Sequence, residues 1–187
     1  KEHLFATNYK FMIPNEIIRR MHFEYLRKSL MESYDLNIDI DFLKHEFINL
    51  AFKGNWRTLF EYILEQFYEA SSIRDFIFKE EGVKSFMLAY LNLTPLYFIE
   101  SEFETNKGYA DMFFRKNFVT TTQTKYEYII ELKHITAKKL SKQEVEKQKE
   151  QAIAQLKRYE ESRTISEELI KIVIITSSKQ VEFLGRV

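Results

Sequence analysis

The chain has 187 residues, enough for one domain of ordinary size or for a small domain with a helical extension. It is 45% hydrophobic and 16% aromatic, with only four Gly and two Pro, which excludes a disordered or loop-dominated chain. It has no Cys, so disulfides and Cys-based zinc are excluded, and its formal net charge of zero means that any basic surface must be local.

The first 75 residues read as helices. "IPNEIIRRMHFEYLRKSLMES" offers Asn15 as an N-cap and Ile17, Met21 and Tyr25 at four-residue steps, a face expected to pack. "DIDFLKHEFINLAFKG" repeats the pattern with Phe42, Phe47 and Leu50, and Gly54 stands where a helix C-terminus favours glycine. "NWRTLFEYILEQFYEAS" places Leu59, Tyr62, Ile63 and Phe67 on one side. A fourth helix runs through "EEGVKSFMLAYLNL" and is stopped by Thr94-Pro95.

Strands follow. "LYFIESEFET" alternates, "NKG" is a turn signal, and "YADMFFRK" is its hairpin partner. The polar "NFVTTTQT" leads into a third strand, "KYEYIIELK", and then a long amphipathic helix, "SKQEVEKQKEQAIAQLKRYEES", carries Val145, Ala152, Leu156 and Tyr159. "LIKIVIIT" reads as a strand buried on both faces, and "SSK" turns into a last edge strand, "QVEFLGRV". The order is α-β-β-β-α-β-β with helices before it, an α/β (α+β) chain divided into a helical region, 1–75, expected to pack on or link to the core, and a core domain, 76–187. No stretch approaches the roughly 18 apolar residues of a membrane span, and with no Cys a cytoplasmic location is expected. The chain opens at Lys1, straight into "HLFATNYKFMIPNE", and is expected to be a piece of a longer protein.

Period-two alternation sorts the third strand into faces. Tyr126, Tyr128, Ile130 and Leu132 line one; Glu127, Ile129, Glu131 and Lys133 line the other. Pairing with the preceding strand brings Asp111 close to Glu131. Asp111 is the only Asp after residue 75, and Asp disfavours strand interiors, so its place between Ala110 and Met112 needs a reason. Two carboxylates on neighbouring strands make a hard-oxygen site of the kind Mg²⁺ accepts, and the Leu132 carbonyl, between the acid and the lysine, is a third donor. Lys133 on the same face can hold a metal-bound water or stabilise charge developing on a phosphate. Taken alone, a Glu and a Lys two apart are more often a solvated pair.

"GYADMFFRKN…YEYIIELK" resembles the PD-(D/E)xK nuclease superfamily, in particular the branch in which a nuclease-like domain follows an AAA-type ATPase domain; "MIPNEIIRRM" is similar to the segment just beyond that ATPase. The resemblance covers roughly residues 76 to 187, and the helices before them more loosely. It implies a restriction-endonuclease-like core, a mixed β-sheet flanked by helices in α-β-β-β-α-β order. It implies a Mg²⁺-dependent phosphodiesterase, a deoxyribonuclease, in which Mn²⁺ substitutes for Mg²⁺. Asp111 and Glu131 would bind the metal and Lys133 would orient the attacking water. Gln155 and Tyr159 of "QLKRY" fit the family's Q-x-x-x-Y element, which shapes the site or contacts DNA. The first-helix acid maps to Glu81, with Glu80 its immediate rival, and Glu102 is a further candidate. The naming proline is replaced by Ala110, a position the chemistry does not need.

Between Ile135 and Arg158 stand seven basic residues (Lys138, Lys139, Lys142, Lys147, Lys149, Lys157 and Arg158) against Glu144, Glu146 and Glu150, where a phosphate backbone would approach. No phosphate-binding glycine loop is present, and His3, His22, His45 and His134 have no zinc spacing. DNA is the expected partner, with RNA left open. An ATPase domain is expected N-terminal in the full chain, and a homodimer fits the need for two sites to cut two strands. The competing reading keeps the fold as a non-catalytic nucleic-acid-binding or interaction module.

Overall fold

The computed structural model describes residues 38–70, 80–105, 108–119, 121–160 and 168–187, together with Ile18, Met21, Tyr25 and Lys28. Asn15 and the "IPNE" segment lie outside the described residues. Helix α1 (Ile40–Ile48) begins where Asp39, in extended conformation, accepts the Phe42 N–H at 2.9 Å, filling one of the orphan donors of a first turn. It runs on into a π-helical turn, Asn49–Lys53, which Gly54 closes with φ 72°. A Cβ at position 54 would lie 3.2 Å from the Tyr126 ring and 3.3 Å from Ile170 Cδ1. Glycine is therefore required twice, by the left-handed backbone and by the close approach of the sheet.

Helix α2 (Arg57–Glu69) buries Leu59, Phe60, Ile63, Leu64 and Phe67. Helix α3 (Glu80–Leu91) buries Val83, Phe86, Met87, Tyr90 and Leu91, and ends before Thr94-Pro95. The strands are β1 (Tyr97–Thr105), β2 (Gly108–Lys116) and β3 (Glu127–Ile135); helix α4 (Lys142–Glu160) then leads to β4 (Leu169–Ser177) and β5 (Val181–Arg186). They form one five-stranded sheet in the order β1-β2-β3-β4-β5. The first three run as an antiparallel meander; α4 crosses over, so β4 lies parallel to β3, and β5 turns back antiparallel. A parallel neighbour needs such a crossover, which is why the helix must separate β3 from β4.

The mixed sheet has a core on each face. Met112, Phe114, Tyr128, Ile130, Leu132, Ile170, Ile172 and Ile174 pack against α1, α2 and α3. Phe113, Ile129, Ile135, Val173 and Ile175 pack against Ala152, Leu156 and Tyr159 of α4. β4 contributes to both cores, as its unbroken β-branched run requires.

Side chains from both sides of the boundary expected at residue 75 share the first core. Tyr128 donates its hydroxyl proton to the Leu50 carbonyl at 2.7 Å, and the Tyr68 hydroxyl lies 2.9 and 2.8 Å from the carbonyls of Ser177 and Gln180. Of the face expected to pack, Met21 and Tyr25 are 64% and 70% exposed, and Ile17 lies outside the described residues. Among the described residues, no helix is long and apolar enough to cross a membrane.

Candidate active site

The β2–β3 ladder runs through Phe114↔Tyr128, Phe113↔Ile129 and Met112↔Ile130. One step further, Asp111 faces Glu131, and there a side chain replaces the ladder: Asp111 Oδ2 accepts the Leu132 N–H at 2.9 Å. An aspartate suits this position because its short carboxylate reaches a neighbouring backbone donor. The N–H and C=O of one strand residue leave on the same edge, so the Leu132 carbonyl is directed toward the same gap.

Glu131 is 1% exposed. Its Oε1 accepts from Lys133 Nζ at 2.7 Å, whereas Oε2 is buried with no hydrogen-bond partner. Burial first, and then the charge of Asp111, push Glu131 up to about 7 against the opposing pull of Lys133. For Lys133, burial works against the ammonium, but the hydrogen bond and charge of Glu131, with Glu80 and Asp111, raise it overall. The lysine is thus held charged beside an acid poised near neutrality. Glu131 and Lys133 are therefore a buried, coupled pair rather than a solvated surface pair.

Of the two first-helix acids, Glu80 reaches the sheet. Its Oε2 accepts the His134 N–H at 3.3 Å. Burial raises its pKa, Lys133 opposes and Asp111 adds to the rise. Glu81, which the family pattern favours, is exposed on the rim of a cavity that Glu80 and Asp111 also line, because consecutive helical residues diverge by about 100°. His134 is pulled toward the neutral form by burial, and its Nδ1 lies 3.1 Å from Thr176 Oγ1.

Sequence reasoning missed Lys84. It stands one turn after Glu80, and its Nζ lies 3.2 Å from Glu102 Oε1 and 3.6 Å from Asp111 Oδ1. The four-residue step from Glu80 was the available signal. Glu102 has φ 52° and sits opposite Asp111, between the pairs Ser101↔Met112 and Phe103↔Ala110. A left-handed conformation costs a non-glycine residue about 1–2 kcal/mol. Glu80, Glu81, Lys84, Glu102, Tyr109 and Asp111 line a cavity of about 350 Å³.

Gln155 and Tyr159 meet on one face of α4, and Gln155 hydrogen-bonds the Tyr159 hydroxyl. That hydroxyl donates to the Tyr109 carbonyl, two residues before Asp111. Burial, then the charges of Glu131 and Asp111, push Tyr159 up to about 12, so it remains a neutral donor. Its place is beneath the β2 backbone, where it fixes the strand that carries Asp111. Lys138, Lys139, Lys142, Lys147, Lys157 and Arg158 are exposed on α4 and the loop before it. Lys149 instead pairs with Glu146 at 3.1 Å and lies over the Phe183 ring.

The donor chemistry fits a hard divalent cation. Glu131 Oε2 is a buried carboxyl oxygen with no hydrogen-bond partner, Asp111 faces it across parted strands, and a carbonyl is directed into the gap. Among the described residues, no three His, Cys, Asp or Glu side chains are arranged as a ready-made cation cage. Two carboxylates and a carbonyl suit an ion that retains water ligands.

A mixed sheet in α-β-β-β-α-β order, with two carboxylates and a lysine at the parting of β2 and β3, defines a restriction-endonuclease-like fold. The profile of the PD-(D/E)XK nuclease superfamily matches residues 78–184, more than half of the chain. The chain belongs to that superfamily. Comparison with curated proteins and with solved structures gave no match in either.

Proposed function

We propose that this domain is a metal-dependent nuclease that hydrolyses phosphodiester bonds in DNA. The observation that carries the reading is Glu131, buried between Lys133 at 2.7 Å and the facing Asp111, with one carboxylate oxygen left without a donor. Asp111, Glu131 and the Leu132 carbonyl would hold Mg²⁺, or Mn²⁺ in its place, with Glu80 the nearer first-helix acid. When bound, such an ion polarises a phosphate oxygen and lowers the pKa of its water.

The remaining work belongs to the chain. Lys133, kept charged by its acidic neighbours, donates to the attacking water and offsets negative charge developing on the phosphate. Tyr159 and Gln155 hold the backbone that presents Asp111. The exposed lysines around α4 hold the DNA backbone by charge. In this reading an ATPase domain precedes the nuclease in the full-length protein, and two copies act together on a duplex.

The exposed basic residues around α4, which hold a phosphate backbone whether or not it is cut, favour a second reading, a module that binds nucleic acid without cutting it. Nicking of supercoiled plasmid in Mg²⁺ or Mn²⁺, against the same reaction in chelator, separates the two. Metal-dependent conversion to open circle is expected. Plasmid that is bound but stays supercoiled in both metals would establish the second reading.

A further inference from the structure

We propose that Lys84 is a positioning residue that guards the metal site, its ammonium neutralising Asp111 while no divalent cation is bound and withdrawing onto Glu102 when one is. The proposal deepens the reading above, since it takes Asp111 as a metal ligand.

Lys84 is confined. Its side chain is only 14% exposed, so the ammonium is held within the cavity rather than spread through solvent. It lies closer to Glu102, at 3.2 Å, than to Asp111, at 3.6 Å. Lys133 is committed to Glu131 at 2.7 Å, whereas Lys84, among the described residues, forms the ion pair to the Asp111 carboxylate. An ammonium and a divalent ion on one carboxylate repel each other, so binding at Asp111 requires Lys84 to retreat.

Glu102 supplies the place to retreat to. It is directly across β1–β2 from Asp111, its carboxylate is 73% exposed, and its backbone holds a left-handed φ of 52°. A strained non-glycine residue persists where its surroundings over-determine it, and such residues concentrate at functional sites. Here the strain falls on the residue that shares Lys84 with Asp111.

The test is Mg²⁺ titration by calorimetry, without DNA, on the parent, Lys84→Met, Glu102→Gln and the double variant. Methionine keeps an unbranched side chain of similar length without the charge, and Glu102→Gln changes an exposed group, so the four proteins form a double-mutant cycle. Lys84→Met is expected to tighten Mg²⁺ binding about three- to tenfold by removing the competing charge. Glu102→Gln is expected to weaken it about threefold, because Lys84 then loses its nearer carboxylate and stays on Asp111. The double variant is expected to match Lys84→Met. Unchanged or weaker binding in Lys84→Met overturns the proposal. So does a Glu102→Gln loss that persists without Lys84, which would make Glu102 a metal ligand itself. A parent that binds no divalent cation overturns the metal-site reading and this proposal together, whereas the other two failures leave that reading intact.

Discussion

Glu131 makes the metal-free protein sensitive to pH. Its carboxyl is raised from 4.5 to about 7, chiefly by burial and then by Asp111. The native state therefore binds more protons than the unfolded chain across that window, and stability falls as pH rises through it. In chelator, the parent is expected to lose melting temperature from the lower to the upper end of the window relative to Glu131→Gln. Parallel curves would show that the shift is absent. Asp111, Glu131 and Lys133 were legible in the sequence because a period of two assigns strand faces without tertiary information. Glu80 was legible only as the rival of Glu81, because the choice between them depends on how α3 is rotated over the sheet, which helix–sheet packing decides; Lys84 was not legible.

Among the elements, the turn at Gly54 is the sharpest constraint. A positive φ and a Tyr126 ring 3.2 Å from any Cβ act together, so Gly54→Ala is expected to destabilise by about 1–3 kcal/mol, read as a lower urea midpoint with an unchanged m-value. A variant as stable as the parent would mean that the π-helical turn rearranges freely. The glycine was readable as a helix end. The π-helical turn before it was not, because it answers to the sheet rather than to local propensity: Ala51 offers its carbonyl to the Lys125 N–H at 2.9 Å. The strands appeared where alternation placed them, and β4 lies buried on both faces as its β-branched run implied. The parting of β2 and β3 left no mark in the sequence except the misfit of Asp111 within a strand.

For the whole molecule, α1 and α2 belong to the sheet's own core rather than to an appendage. A chain begun at residue 78, where the family match starts, would uncover Tyr128, Ile130, Ile170, Ile172 and Ile174. It is expected to show no cooperative melt by circular dichroism; a sharp transition at the parent's temperature would contradict the shared core. Helical periodicity foretold α1 and α2 but placed Met21 and Tyr25 in a packed face that the structure leaves exposed. Periodicity marks an apolar stripe without saying whether a partner remains to cover it.

In the proposed reaction Lys133 serves chemistry rather than binding. Plasmid nicking and DNA affinity, measured side by side for the parent and Lys133→Ala under the same Mg²⁺, test it most directly. Loss of the transition-state contact predicts that the variant binds DNA within a fewfold of the parent yet nicks about 10²–10³-fold more slowly. A Lys133→Ala variant that binds and nicks as the parent does would contradict the account and place the chemistry elsewhere.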